Sequence, residues 1–270
     1  RKGITMRRHG SIDILDAIEV GQVMAPARLR VETSSPVQEV ERLMDEAPEH
    51  CGDRAPLRLA RLRQASVREP ASVPKLLETL AADTESLSPA ERVQLWRGLL
   101  SVATAYKAWP QSLRLCEELS REMPQDVGAR AVQIDAASHA GDLDTLNRAL
   151  AAVRQLEGPS ALWHYGEAMR IELAAGEANP AQMAAALAHL SEAHALRPDW
   201  PLPLLASAAI HRKQGDLAQA ADECRQAIEL GVRDPDVIRS TVNLLYQQGQ
   251  WPLAFCGDCH RRGGKYRRVR

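Results

Sequence analysis

From residue 56 onward, apolar positions recur three or four residues apart, in stretches broken by short polar turns. The pattern predicts helical pairs. Pro56–Val67 is followed by Val73–Ala82, and Leu202–Gln214 by Leu217–Leu230, with Ala206, Ala209, Ala220 and Ala227 at helical spacing. Small residues at such positions let two helices approach closely, and Gly or Pro ends each stretch. The punctuation itself repeats. Gly215-Asp216-Leu217 and Gly249-Gln250-Trp251 lie 34 residues apart, as do Ala220 and Ala254. Gly141-Asp142-Leu143 precedes Gly215 by 74 residues, two periods plus six, and Gly176-Glu177-Ala178-Asn179-Pro180 lengthens the intervening turn. Units therefore start near 93, 127, 161, 201 and 235, with boundaries at Met123-Pro124, Gly158-Pro159, Arg197-Pro198 and Asp234-Pro235. One helical pair cannot bury its apolar face alone, so stacking against neighbours supplies the core.

The stretch from Leu196-Arg197-Pro198-Asp199-Trp200 to Ala227-Ile228-Glu229-Leu230 carries the spaced small residues, the Gly-Asp-Leu turn and the 34-residue period. It resembles a tetratricopeptide repeat, and the resemblance spans about 93–255. It implies an all-α fold, a right-handed superhelix of antiparallel helical hairpins. Leu100, Leu119, Leu146 and Val153 stand where that family prefers Ala or Gly, and Lys107-Ala108-Trp109-Pro110 replaces the turn glycine of the unit at 93. Looser packing or a wider turn is expected there. Residues 55–92 read as a further helical pair, a degenerate repeat or a cap.

The resemblance also implies a use. The first helix of each unit lines a concave groove. By the family's geometry that groove receives Arg97, Asp135, His139, Tyr165, Met169, Glu172, Arg212, Lys213, Arg239, Asn243, Tyr246 and Gln247. Arg212, Lys213 and Arg239 could hold a carboxylate, and Asn243 and Gln247 a peptide backbone. A non-catalytic scaffold that presents its groove to a protein or peptide partner is the expected function. A solvated groove without a specific ligand is the competing reading.

The first fifty residues follow a different pattern. Val20-Gly21-Gln22-Val23-Met24, then Val31, then Pro36 through Met44 resemble the opening half of a CBS domain, an α/β-like fragment over about 1–50. Gly3 through Arg8 and Asp13-Ile14-Leu15 look like the linker that joins such domains to a chloride-channel-type membrane domain. That implies an alternative function, a regulatory piece of an anion channel or transporter that senses adenine nucleotide, with the channel upstream. The second half of the module is missing, because Glu49 through Arg54 lead straight into helix-forming sequence.

At the other end, Cys256-Gly257-Asp258-Cys259-His260 fits C-x-x-C-H, the attachment pattern of c-type haem. A haem redox protein is thus a third reading. Zinc would need a fourth ligand that is not evident nearby. No pocket-building sequence follows the motif, so no cofactor and no metal are expected. The unit at 235 breaks off after Ala254, and 256–270 read as a basic, disordered tail. With a half-module at the opposite end, this suggests a chain joined from mismatched pieces.

Charge refines the picture. The chain holds 34 basic and 35 acidic residues, but ten basic residues and one acid lie within 1–8 and 257–270. The body keeps 24 basic and 34 acidic residues, a net charge near −10, which does not suit a nucleic-acid clamp. Five cysteines are too few for a disulfide scaffold of this size, and Cys116 and Cys224 fall on apolar stripes as small core residues. No apolar run approaches eighteen residues, and no Gly-x-Ser-x-Gly elbow or phosphate-binding glycine loop is present. The histidines are scattered and read as solvated or partly packed. The sequence opens on Arg1 rather than Met, leaving room for a natural start upstream, and a cytoplasmic location is the default expectation.

Overall fold

A computed structural model of the protein describes residues 42 and 46, 53–175 and 179–247. Residues 53–175 and 179–247 form eleven α-helices, with no strand among the described residues. They fall into two compact units that divide between Ala140 and Gly141. The first contains α1 (Ala55–Arg68), a 3-10 turn (Pro70–Ser72), α2 (Val73–Ala81), α3 (Pro89–Ala105), α4 (Trp109–Glu122) and α5 (Val127–Ala140). The second contains α6 (Leu143–Glu157), α7 (Ala161–Ala175), α8 (Pro180–Leu196), α9 (Leu202–Gln214), α10 (Leu217–Glu229) and α11 (Pro235–Gln247). Within each unit, every helix packs against the next, as short turns dictate for helical hairpins. The pairs predicted at 56–82 and 202–230 are α1–α2 and α9–α10, within one residue at each end.

The Gly-Asp-Leu motif has a local physical cause. Gly215 closes α9 in the left-handed conformation (φ 83°), where a β-carbon would be strained. The next residue, Asp216, accepts a hydrogen bond from the Gln219 backbone N–H at 3.1 Å and so caps α10. Gly141 (φ 72°) and Asp142, bonded to the Thr145 N–H at 2.9 Å, repeat this arrangement before α6. Such a cap contributes roughly 1 kcal/mol. In the unit at 93 the glycine's place belongs to Lys107, which nonetheless adopts φ 55°. Ala108 then stands where the capping Asp would be, and α4 starts with no side-chain cap. The turn expected to widen therefore keeps the left-handed residue without the residue type that favours it.

The core positions follow the repeat register. In the second unit, Ala168, Ala186, Ala193, Ala208, Ala220 and Ala227 are all buried, which brings backbones together in the hairpins. Leu100, Leu119, Leu146 and Val153, the bulky substitutes, are buried as well. They supply more apolar area per position, about 1.5–3 kcal/mol for each fully buried large side chain. The core of the first unit joins Leu62, Leu77, Leu95, Leu99, Leu115 and Cys116. Residues 55–92 are part of that core through α1 and α2.

A buried arginine ties those two helices together. Arg58 of α1 donates to the carbonyl oxygens of Leu80 at 2.9 Å, Ala82, and Asp83 at 3.0 Å, and to the Asp53 carboxylate at 2.9 Å. It thereby fills the unpaired carbonyls at the end of α2.

Of the N-terminal fragment, only Arg42 and Glu46 lie among the described residues; they are helical and ion-paired at 2.7 Å. The rest of the CBS-like segment, the C-x-x-C-H motif and the basic tail lie outside the described residues, as do Cys51, Cys256, Cys259 and His260. No described helix is long and apolar enough to cross a membrane.

Candidate functional site

The predicted groove residues sit on the first helices of successive hairpins in each unit. In the first, Arg97 of α3 reaches the Asp126 carboxylate at 2.6 Å, and Asp126 also accepts from the Ala129 N–H at 3.1 Å at the start of α5. Burial raises the Asp126 pKa, but Arg97 and the backbone donors outweigh it and hold the carboxyl below its ordinary range. Arg97 is thus engaged in joining α3 to α5. His139 stacks on Trp109 of α4, with ring centroids 4.4 Å apart, and its Nδ1 lies 2.9 Å from the Asp135 carbonyl oxygen.

The second unit carries the more continuous polar row. Lys213 of α9 donates to Glu172 of α7 at 2.6 Å, and Arg212 to the Ser240 hydroxyl of α11 at 3.4 Å. Side chains of α9 therefore reach both α7 and α11, the first helices of the neighbouring hairpins. Asn243 and Gln247 are exposed on α11, three and seven residues beyond Ser240, on the same helical face. Arg239 is exposed and lies 3.5 Å from Asp236, one turn back. The three predicted cations thus differ in kind. Lys213 and Arg239 already face carboxylates, whereas Arg212 meets a neutral hydroxyl.

Two of the predicted groove residues need correcting. Tyr165 and Met169 are buried, and the Tyr165 ring packs on Trp200 with centroids 5.1 Å apart. Both are packed inside the unit rather than displayed, Tyr165 against the Trp200 indole. Tyr246 is exposed, on the α11 stripe that also shows Ile238 and Val242.

The structure also assembles groups that the reading of the histidines as scattered missed. His164 of α7 and His189 of α8 bring their Nδ1 atoms to 3.0 Å, with Trp163 set edge-on to both rings and the Arg154 guanidinium over that indole. Burial and the facing His189 hold the His164 pKa below the ordinary imidazole range. His211 of α9 lies 2.9 Å from Glu223 of α10, which also accepts from Ser207 at 2.8 Å. Ser207 and His211 stand four apart, a spacing that puts them on one helical face. Glu223, across the hairpin, is not visible from that spacing. Ser207 bonds the carboxylate rather than the imidazole, so no nucleophile–base pair is formed.

Cys116 and Cys224 are free and buried, as their apolar stripes predict. Burial pushes the Cys116 thiol up to about 12, which leaves it unreactive. Among the described residues, no group of three or more His, Cys, Asp or Glu could hold a metal ion.

No protein-family model matches the sequence, and no curated protein matches it as a relative. Solved structures similar to the chain include the Cut9–Hcn1 hetero-tetramer of the APC/C, at 14% identity over 82% of this chain and 42% of that one, with a TM-score of 0.49. Yeast Tom70 is similar at 13% identity over 85% and 47% of the two chains, with a TM-score of 0.46. A thermophilic TPR protein of Thermus thermophilus is similar at 18% identity over 71% and 99%, with a TM-score of 0.47. The chain spans less than half the length of the first two. The assignment of helical hairpins rests on the helices themselves.

Proposed function

We propose that the protein is a non-catalytic scaffold whose first-helix row in the second unit captures a peptide segment of a protein partner. The observation that carries this reading is that α9 bonds to both neighbouring first helices, Lys213 to Glu172 of α7 and Arg212 to Ser240 of α11. A row of polar groups from three elements suits an extended ligand, which meets one element after another along its length. Arg212 anchors the peptide through a terminal or side-chain carboxylate, since its present partner is a neutral hydroxyl that an anion displaces readily. Asn243 and Gln247 pair with peptide amides. Lys213 is held by Glu172, and that carboxylate disfavours acidic ligand groups at its position.

The test is fluorescence anisotropy with a library of short peptides carrying either a free or an amidated C-terminus. Free-carboxylate peptides should bind more tightly, and Arg212→Ala should abolish the difference. Equal binding of both peptide classes by the unaltered chain would refute carboxylate capture. The nucleotide-sensing and haem readings gain no support from the comparisons.

A further inference from the structure

The last described helix, α11, shows a face that its counterparts hide. The eighth position of the repeat register is Leu100, Ile134, Ala168 and Ala208 in the units at 93, 127, 161 and 201, and none of these is more than 6% exposed. In the unit at 235 that position is Val242, which is 37% exposed. Ile238, one turn earlier on the same face, is 38% exposed. The preceding hairpin shows what hides the position elsewhere. Ala208 shares its core with Ala220, Ala221 and Cys224 of α10, the second helix of its own hairpin, and with Leu244 and Leu245 of α11. Among the described residues no helix follows α11. The stripe of Ile238 and Val242 is thus the seat of a second helix, since a lone first helix cannot bury its apolar face.

The sequence after Gln247 supplies a match for that seat. The twentieth position of the register, with the six-residue insertion allowed for, is Ser112, Leu146, Ala186 and Ala220, all 0% exposed. In the unit at 235 it is Ala254. Three residues before it stands Trp251, followed by Pro252, and the same pair, Trp109-Pro110, opens α4. Proline suits the first turn of a helix, where its missing N–H costs no hydrogen bond. The match is short. Asp258 and Arg261 fall where Cys224 and Ala227 are buried in the unit at 201, and an unpaired charge opposes burial there. Apolar cover therefore extends no further than Phe255.

We propose that residues 251–255 of the chain itself cover the stripe of Ile238 and Val242, with Trp251 and Ala254 facing it. Only residues 248–250 separate this segment from α11, so its effective concentration at the stripe exceeds that of a second copy or of a partner's helix. The contact holds the helix that carries Ser240, Asn243 and Gln247, but it does not depend on their binding a peptide.

Hydrogen exchange of the full purified chain, read by mass spectrometry at a low and a high protein concentration, tests the proposal. Trp251→Ser and Ala254→Arg should each speed exchange of the α11 amides about tenfold or more, the loss that follows when one large side chain leaves its buried place. The amides of α7 and α8 should keep their protection. Trp251→Phe, which retains an apolar ring, should keep most of the protection of α11. Unaltered α11 exchange in Trp251→Ser and Ala254→Arg overturns the proposal. Protection of α11 that rises with protein concentration overturns it as well, because a second copy is then the occupant.

Discussion

Replacing Arg58 by Met tests how far a single buried guanidinium holds the first unit together. Its side chain is 5% exposed, and it spans three carbonyl oxygens and a carboxylate. Methionine keeps most of the packing volume and removes all four donor contacts. The carbonyls of Ala82 and Asp83 belong to exposed residues and regain water, so their loss costs little. The Leu80 carbonyl belongs to a buried residue and does not. An unsatisfied buried acceptor costs about 1–3 kcal/mol, and loss of the charged bonds at the helix end adds to it. Removing the buried charge recovers part of its desolvation cost.

The net expectation is a loss of roughly 2–3 kcal/mol, or about 30- to 150-fold in the opening equilibrium. Hydrogen exchange read by mass spectrometry over residues 53–83 measures it directly, because α2 amides should lose protection while those of α9 and α10 keep theirs. Arg58→Lys sharpens the test. It keeps the charge but replaces the rigid fork with a single ammonium, so it should also lose most of the protection. A change in α2 exchange of less than about threefold for the Met variant, or wild-type protection in the Lys variant, would refute the argument.

Two further outcomes are expected. Lys107→Gly should stabilise the first unit by roughly 0.5–1 kcal/mol, read as a higher urea midpoint, because relief of a non-glycine residue at φ 55° exceeds the extra chain entropy of glycine; a lower midpoint would count against it. His164 should make stability depend on pH. Its folded pKa lies below the ordinary 6.5, so the unfolded chain binds more protons, and stability should fall as pH drops through about 6.5, despite the opposing charges of Glu167 and Glu192. His164→Gln should flatten that part of the unfolding profile between pH 7.5 and 5.5, and an unchanged slope would rule the pair out as its source.

Local rules make the hairpins legible. A left-handed glycine followed by a capping Asp acts within a few residues, so Gly215-Asp216-Leu217 identifies its turn from sequence alone, and two 34-residue periods plus the six residues of the lengthened turn carry the register to Gly141. Helix ends, the burial of Cys116 and Cys224, and that of Ala220 and Ala227 follow from the same short-range spacing, whereas on α9 the buried alanine is Ala208 and the expected Ala206 and Ala209 are only half-buried. The parts that remain illegible depend on which faces meet. Trp200, a turn-side residue in the sequence, covers Tyr165 and takes it out of the groove. Arg58 looks like an ordinary exposed arginine until α2 ends beside it. The pairing of His164 with His189 and of His211 with Glu223 crosses between helices, where side-chain reach and helix rotation set the partner. Spacing along one chain records the face a residue occupies, because helical geometry is periodic. It does not record what stands opposite, because that is decided by the packing of one helix against another.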